Sequence, residues 1–347
     1  MKHKSSFNHR PKRRDSVLYP ITLSVPGDAV KLIKSQICAY NAMYAQGYKF
    51  VPEFVVGDAD ITLCRQDELC DFYGRETFSL AWDNGYFLYY DKRYIGKSSL
   101  TSLESIVNDC KNNKMTFSFA LQSSPWYASS FMLATGCKSE WQFDGKQYLL
   151  KSDNCDGKNG FIAAKAIHDF MLSGVYKNSS SADDFALDNP SAAVVAGPWE
   201  YKKAKKLLGD NLGVCELPCF KYKNKSYHLG SVSGGRYYAL RDFDIKEKSD
   251  AVHSLLAFLT SAPCQKQNYR ILGYLPVDKK IDICQCPMAI AFFAQDKYAV
   301  PQMPIHPYWW RIAGALTNNV YLCKSDDEIK RMLTVYSTAI KGLLLNY

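Results

Sequence analysis

Apolar positions along this chain fall into short strand-like runs separated by stretches of helical periodicity, the pattern of an α/β protein. Residues 21–25 read as a first strand. Gly27-Asp28 caps a helix over 29–44 whose stripe is Val30, Ile33, Ile37, Tyr40 and Tyr44. Strands follow at 48–56 and 59–63, the second entering a short helix at 67–72. Residues 77–82 and 86–90 read as strands on either side of Asp83-Asn84-Gly85. A helix over 100–112 carries Leu103, Ile106, Val107 and Cys110 on one face, with Ser102 as its cap. Residues 117–121 read as a strand, and 128–136 and 160–173 as helices.

The most telling stretch is 191–220. Ala192-Ala193-Val194-Val195-Ala196 is short and apolar enough for a buried strand. Gly197-Pro198 stops it, because proline offers no donor to a ladder. Trp199 and Tyr201 stand at the resulting corner, a helix over 200–208 buries Ala204, Leu207 and Leu208, and 212–217 is the next strand. An indole at such a corner either packs or offers its flat face to a ligand. Beyond it, 227–233 reads as one strand ending in Gly234-Gly235 and 237–240 as another. Helices are expected at 249–259, 307–316 and 327–345.

Four blocks in this order carry a resemblance. They are the 191–220 segment, Asp-Asn-Gly-Tyr-Phe-Leu-Tyr-Tyr-Asp-Lys at 83–92, Ser-Pro-Trp-Tyr at 124–127, and Pro-Gln-Met-Pro-Ile-His-Pro-Tyr-Trp-Trp at 301–310. Together they resemble the extracellular solute-binding proteins of ABC sugar importers, the maltose-binding-protein type of family 1. The likeness runs from about residue 21 to the C-terminus and is patchy before residue 81. It implies a two-lobed α/β fold of the type II periplasmic-binding-protein kind, with a multi-crossing hinge and an interlobe cleft. A chain of 347 residues suits two lobes. The expected division is a basic tail at 1–16, lobe one at 17–84 plus 234–286, and lobe two at 85–233 plus 287–347. Relatives carry a helix near residues 56–58 and tens of residues near 73–78 that are missing or short here. The first lobe is therefore expected to be truncated, with a sheet thinly covered.

Charge and cysteines adjust this picture. Lys2, Lys4, Arg10, Lys12, Arg13 and Arg14 precede the first acid, Asp15, so most of the net charge of +9 sits in the tail. No nucleic-acid-reading signature accompanies them, and a solvated tail is expected. No apolar run approaches the roughly 20 residues of a membrane helix. The first residues contain no secretory signal and no lipid-attachment cysteine, whereas the resemblance implies an extracytoplasmic, membrane-associated protein. Twelve cysteines favour disulfides over zinc, since Cys215/Cys219 and Cys284/Cys286 lack a nearby histidine. Cys110 with Cys137, and Cys264 with Cys284 or Cys286, are the pairs to test.

The resemblance implies a carbohydrate ligand, ABC permease subunits as partners, a monomer, and neither cofactor, metal nor nucleic acid. Sugars are held by aromatic platforms and by planar polar groups that pair with hydroxyls. Trp126, Trp199 and Trp309 fall at the family's aromatic positions, with Tyr201, Trp310 and Tyr127 next. Trp309 and Trp310 point about 100° apart on a helix, and Trp309 is assigned to the cleft. Asp83, Asn84, Ser231 and Gln302 are the polar candidates, with Ser233 and Arg311 behind them, although Asp83-Asn84-Gly85 would also simply form a turn. No catalytic motif appears, and Asp183-Asp184 diverge rather than face one another, so no enzyme is expected. The alternative is a degenerate relative acting as a non-transport binding module.

Overall fold

The computed structural model describes residues 18–43, 49–72, 74–75, 77–278, 280–281, 286–301 and 305–343. The chain opens with β1 (Leu18–Ser24), α1 (Val30–Met43), β2 (Lys49–Phe54), β3 (Ile61–Arg65), a 3₁₀ turn at Gln66–Phe72 and β4 (Thr77–Trp82). It then crosses into a second body. This holds β5 (Phe87–Asp91), α2 (Leu103–Asn112), β6 (Thr116–Ser118), α3 (Pro125–Thr135), β7 (Ser139–Phe143), β8 (Tyr148–Asp153), α4 (Lys158–Met171), β9 (Tyr176–Lys177), β10 (Ser191–Ala196), α5 (Tyr201–Leu208), β11 (Leu212–Cys215), β12 (Cys219–Tyr222) and β13 (Lys225–His228). After β14 (Ser231–Ser233) the chain returns to the first body as β15 (Arg236–Leu240), α6 (Lys246–Leu259) and α7 (Ala262–Leu272). It ends on the second with α8 (Pro287–Gln295), β16 (Ala299–Pro301), α9 (Trp309–Leu322) and α10 (Asp326–Gly342).

Each body is built on a five-stranded sheet, of order β2-β1-β3-β15-β4 in the first and β11-β5-β10-β6-β9 in the second. In the first, β1 and β2 run parallel with Pro20 beside Val51 and Ile21 beside Pro52. Ile21 and Leu23 point into a core closed by Ile33, Ile37 and Tyr40 of α1 and Val252, Leu255 and Leu259 of α6. Leu18, Pro20, Val51 and Glu53, alternating with them, are exposed. Parallel strands ordinarily bury both faces, so this end of the sheet is half bare. Its edge strand β2 carries Pro52.

The second sheet is fully sandwiched, all six residues of β10 being buried. On one face Phe117, Phe119, Phe131 and Phe170 interlock with ring centroids 5.1–6.5 Å apart. On the other, α8 lays Met288 and Phe292 against Phe87, Tyr89 and Val194. Full burial of each such ring contributes roughly 1.5–3 kcal/mol, so much of the chain's aromatic content is core packing. Ser102 caps α2 as expected, accepting from the Ser105 amide at 3.3 Å.

Several expectations are corrected. Residues 227–233 form not one strand but β13 and β14, which belong to different pairs. The break falls at Gly230, where a side chain would sit 2.7 Å from Leu133 and 3.1 Å from the Tyr298 carbonyl. The hairpin β7–β8 and helices α7 and α8 were not anticipated: their apolar residues are too few or too continuous to show a period. Cys137 lies not beside Cys110 but with its sulfur 3.1 Å from that of Cys155, and both are thiols. Cys110 instead donates to the Thr116 carbonyl. Cys264 and Cys286 are also thiols, while Cys284 and Gln302 lie outside the described residues. No described helix is long and apolar enough to cross a membrane.

Candidate ligand-binding cleft

The crossings between the bodies are tied together. The Gly234 amide donates to the Asn84 carbonyl at 3.2 Å, and β14 pairs in parallel with β16. On the second body, the carboxyl ends of β10 and β6 lead directly into an aromatic corner. Ala196 passes to Gly197-Pro198, and Trp199 follows in a 3₁₀ turn at Pro198–Glu200. The Trp199 ring folds back over Gly197, where a β-carbon would lie 2.1 Å from it; only glycine leaves room for that pose. Trp126 stands in the first turn of α3, behind Pro125. The two indoles stack with centroids 6.1 Å apart and planes 27° from parallel, and Trp199 is 36% exposed.

Two buried tyrosines fix this pair. The Tyr86 hydroxyl donates to the Trp126 carbonyl at 2.9 Å, and its ring meets the Trp126 indole edge-on at 4.5 Å. The Tyr89 hydroxyl donates to the Gly197 carbonyl at 2.9 Å. Burial pushes the Tyr86 and Tyr89 hydroxyls above their ordinary range, so both stay protonated donors.

The first body contributes a hollow of about 340 Å³ at the carboxyl ends of β1 and β3. Ser24 and Pro26, in the turn after β1, line it with Cys64, Glu68, Asp71 and Arg236. Arg236 lies 4.0 Å from Glu68, and Arg65 pairs with Glu68 at 3.0 Å. Burial first, and then the Glu68 charge, push the Cys64 thiol up to about 12, which removes it as a thiolate nucleophile. Carboxylate and guanidinium groups facing a groove suit paired hydrogen bonds to vicinal hydroxyls. Both walls thus sit where open α/β sheets hold ligands. The two bodies also touch where Lys202, one residue into α5, donates to the Arg270 and Ile271 carbonyls at the end of α7.

Residues 71–283 match the profile described as bacterial extracellular solute-binding protein. The chain belongs to that family. The solute-binding protein is similar in fold to the ligand-free maltodextrin-binding protein MalE1 of L. casei BL23, with 17% identity, 94% of this chain and 99% of that chain covered, and a TM-score of 0.77. It is likewise similar to the maltose-maltodextrin binding protein of Alicyclobacillus acidocaldarius (17% identity, 93% and 100% covered, TM-score 0.73). A Staphylococcus aureus extracellular solute-binding protein in complex with maltose also matches (17% identity, 94% and 99% covered, TM-score 0.72). A search of curated proteins found no match.

Within this solute-binding protein the expected site residues part company. Trp126 and Trp199 come together. Trp309 heads α9 and lines an apolar cavity beside α3, and its ring contact is with Trp310, edge-on at 4.9 Å. Tyr201 packs behind the corner with Tyr269 and Cys286. The Asp83 carboxylate accepts from the Asn84 amide at 2.8 Å, and the Asn84 side chain accepts from the Gly85 amide at 2.9 Å, which is turn formation. Ser231 is buried in the hinge pair and accepts from Gln295 at 3.3 Å. Tyr127 is core, and Arg311 is exposed. Among the described residues no three His, Cys, Asp or Glu side chains cluster as metal ligands. Glu68, Arg236, Tyr86 and Tyr89 were not singled out. The 3₁₀ turn at the carboxyl end of β3 was the available signal for Glu68, but Arg236 reaches it only through the return crossing.

Proposed function

We propose that the protein captures a mono- or oligosaccharide between the Trp126–Trp199 stack and the charged hollow of the first lobe, and delivers it to an ABC permease at the membrane. The observation that carries this reading is the pair itself: two indoles, one of them open to solvent, held in one orientation by buried tyrosine hydroxyls. Such a surface matches the apolar C–H face of a sugar ring, and the acids and arginine of the first-lobe hollow match its hydroxyls. Two structural neighbours are described as maltodextrin-binding and a third as complexed with maltose, which supports an α-glucan as ligand. The chain works as a monomer without catalysis or cofactor, since closure of one lobe on the other requires only a ligand that contacts both.

The test is a thermal shift against mono- and oligosaccharides. A binder at 100 times its Kd stabilises the fold by about 2.7 kcal/mol. Trp199→Ala is expected to abolish the shift while leaving the ligand-free melting point within a few degrees, because the ring is largely outside the core. A variant that unfolds would refute that placement. The half-bare first sheet favours a second reading, a relative that keeps the fold as a non-transport binding module. A folded protein with no response across the panel selects it.

A further inference from the structure

The β7–β8 hairpin is joined to α3 and to α4 through two cysteines that face one another. Ser139 pairs with Asp153 in the antiparallel ladder. The register continues outward, the Asn154 amide donating to the Lys138 carbonyl at 3.3 Å and the Lys138 amide to the Asn154 side-chain oxygen at 2.8 Å. One step further, Cys137 stands opposite Cys155, next to a hydrogen-bonded pair and therefore at a non-hydrogen-bonded position. Facing Cα atoms at such a position ordinarily lie about 4.5 Å apart, within the roughly 4.4–6.8 Å that a disulfide spans. The two sulfurs are 3.1 Å apart.

The main chain is fixed on both sides of this pair. Gly136 closes α3 in the left-handed region, at φ +76°, and the Cys137 amide donates to the Met132 carbonyl at 2.9 Å, a cap that sets the direction in which the chain leaves the helix. Asn154 ties the far strand to that cap, its side-chain amide donating to the Gly136 carbonyl at 3.0 Å. Gly160, in the first turn of α4, lies so close to Cys155 that a β-carbon on it would sit 1.8 Å from the Cys155 carbonyl oxygen. Both cysteines are buried, in the cluster that holds Trp141, Ala164 and Tyr336. Cys64, Cys110 and Cys323 each donate instead to a main-chain carbonyl.

We infer that Cys137 and Cys155 become joined by a disulfide when the chain folds in oxidising surroundings, and that this bond staples the end of α3 and the start of α4 to the root of the hairpin. The family is described as extracellular, and disulfides persist on that side of the membrane. The oxidant is itself a disulfide, free or carried by a protein. The thiolate of one cysteine attacks a sulfur of the oxidant and expels one thiolate; the thiolate of the other then attacks the mixed disulfide, forms the Cys137–Cys155 bond and expels the second. Two electrons pass from the cysteines to the oxidant, and the two thiol protons end on its released thiols. In the folded chain the neighbouring Cys137 sulfur, and next burial, hold the Cys155 thiol above its ordinary range. Exchange therefore belongs to the folding chain, before the pair is enclosed, and enclosure then shields the bond from reductant.

The test folds the full chain from urea in a buffer of reduced and oxidised glutathione, blocks the remaining thiols with iodoacetamide and maps the tryptic peptides by mass spectrometry without reduction. Trypsin separates the partners, placing Cys137 in peptide 115–138 and Cys155 in peptide 152–158, each with no second cysteine. The expected product is these two peptides joined. Protein folded with glutathione is expected to melt about 5 °C above protein folded in dithiothreitol, and Cys155→Ala to melt alike after either treatment. Should that variant fail to fold, the peptide map of the wild type decides alone. Alkylation of both cysteines in the folded wild type, or Cys137 joined to another partner such as Cys110, would overturn the assignment. Equal melting of the two wild-type preparations, or a difference that survives in Cys155→Ala, would overturn the role of staple.

Discussion

Single residues decide whether the indole pair holds its pose. Tyr86 touches no cleft, yet its hydroxyl holds the carbonyl of Trp126 and accepts from Ser130 at 3.1 Å. Tyr86→Phe is expected to cost about 1 kcal/mol of stability and to weaken saccharide binding up to about fivefold, measured by urea unfolding and calorimetry on the same preparation. Gly197→Ala should separate the two quantities. The backbone there is extended, with φ −90° and ψ −179°, which alanine adopts without backbone strain, so any loss of stability should be only what the displaced Trp199 ring gives up. The new methyl nonetheless occupies the place of the Trp199 ring, and affinity should fall as far as in Trp199→Ala. Retained affinity would show that the ring has another resting place. The corner itself was readable, because Gly-Pro-Trp after an apolar run leaves few options. Its tyrosine supports were not, since nothing local distinguishes Tyr86 or Tyr89 from the core aromatics around them.

At the scale of elements, the strands and helices with a clean apolar period were legible and those without one were not. α1 lies within one residue of the expected bounds and α10 starts within one residue of its expected start. α8 reads Pro-Met-Ala-Ile-Ala-Phe-Phe-Ala-Gln, apolar nearly all round, so periodicity has nothing to report. Pairing between elements distant in sequence was equally hidden. Asp183 and Asp184 diverge as expected, Asp183 pairing with Lys203 at 2.9 Å on the surface. Asp184 turns inward to Lys177 at 2.8 Å and accepts from Ser118 at 2.8 Å, joining β6, β9 and the segment before β10. Removing one partner of such a pair strands the other. Asp184→Ala is expected to cost about 2–4 kcal/mol with sugar affinity unchanged in the folded fraction. A loss under about 1 kcal/mol would mean that solvent already shares the site.

The whole molecule answers to pH through two shielded imidazoles. Burial holds both His228 and His306 below the ordinary histidine value of 6.5. His228 lies flat on Tyr298 at 3.4 Å, and His306 sits between Trp141 and Tyr148. The folded state therefore binds fewer protons than the unfolded chain once pH falls below 6.5. Stability from these groups is full above that value and declines beneath it. Urea midpoints from pH 8 to 5 should be flat at first and then fall, and the fall should shrink in His228→Gln. The two-lobed plan was visible in the sequence only through the resemblance, because the four blocks lie in the second lobe but for Asp83 and Asn84 at the crossing. The unguarded side of the first sheet is legible as the alternation of Leu18, Pro20, Val51 and Glu53 with buried neighbours. That side adjoins an outermost strand, and such a margin recruits copies of itself when its amides are free to donate. Pro52 withholds one of those amides in the middle of the strand. Asn41 already occupies the amide and carbonyl of Phe50 on the same margin; Pro52→Val would add an open donor beside them, so light scattering should register growing assemblies where the parent chain stays dispersed.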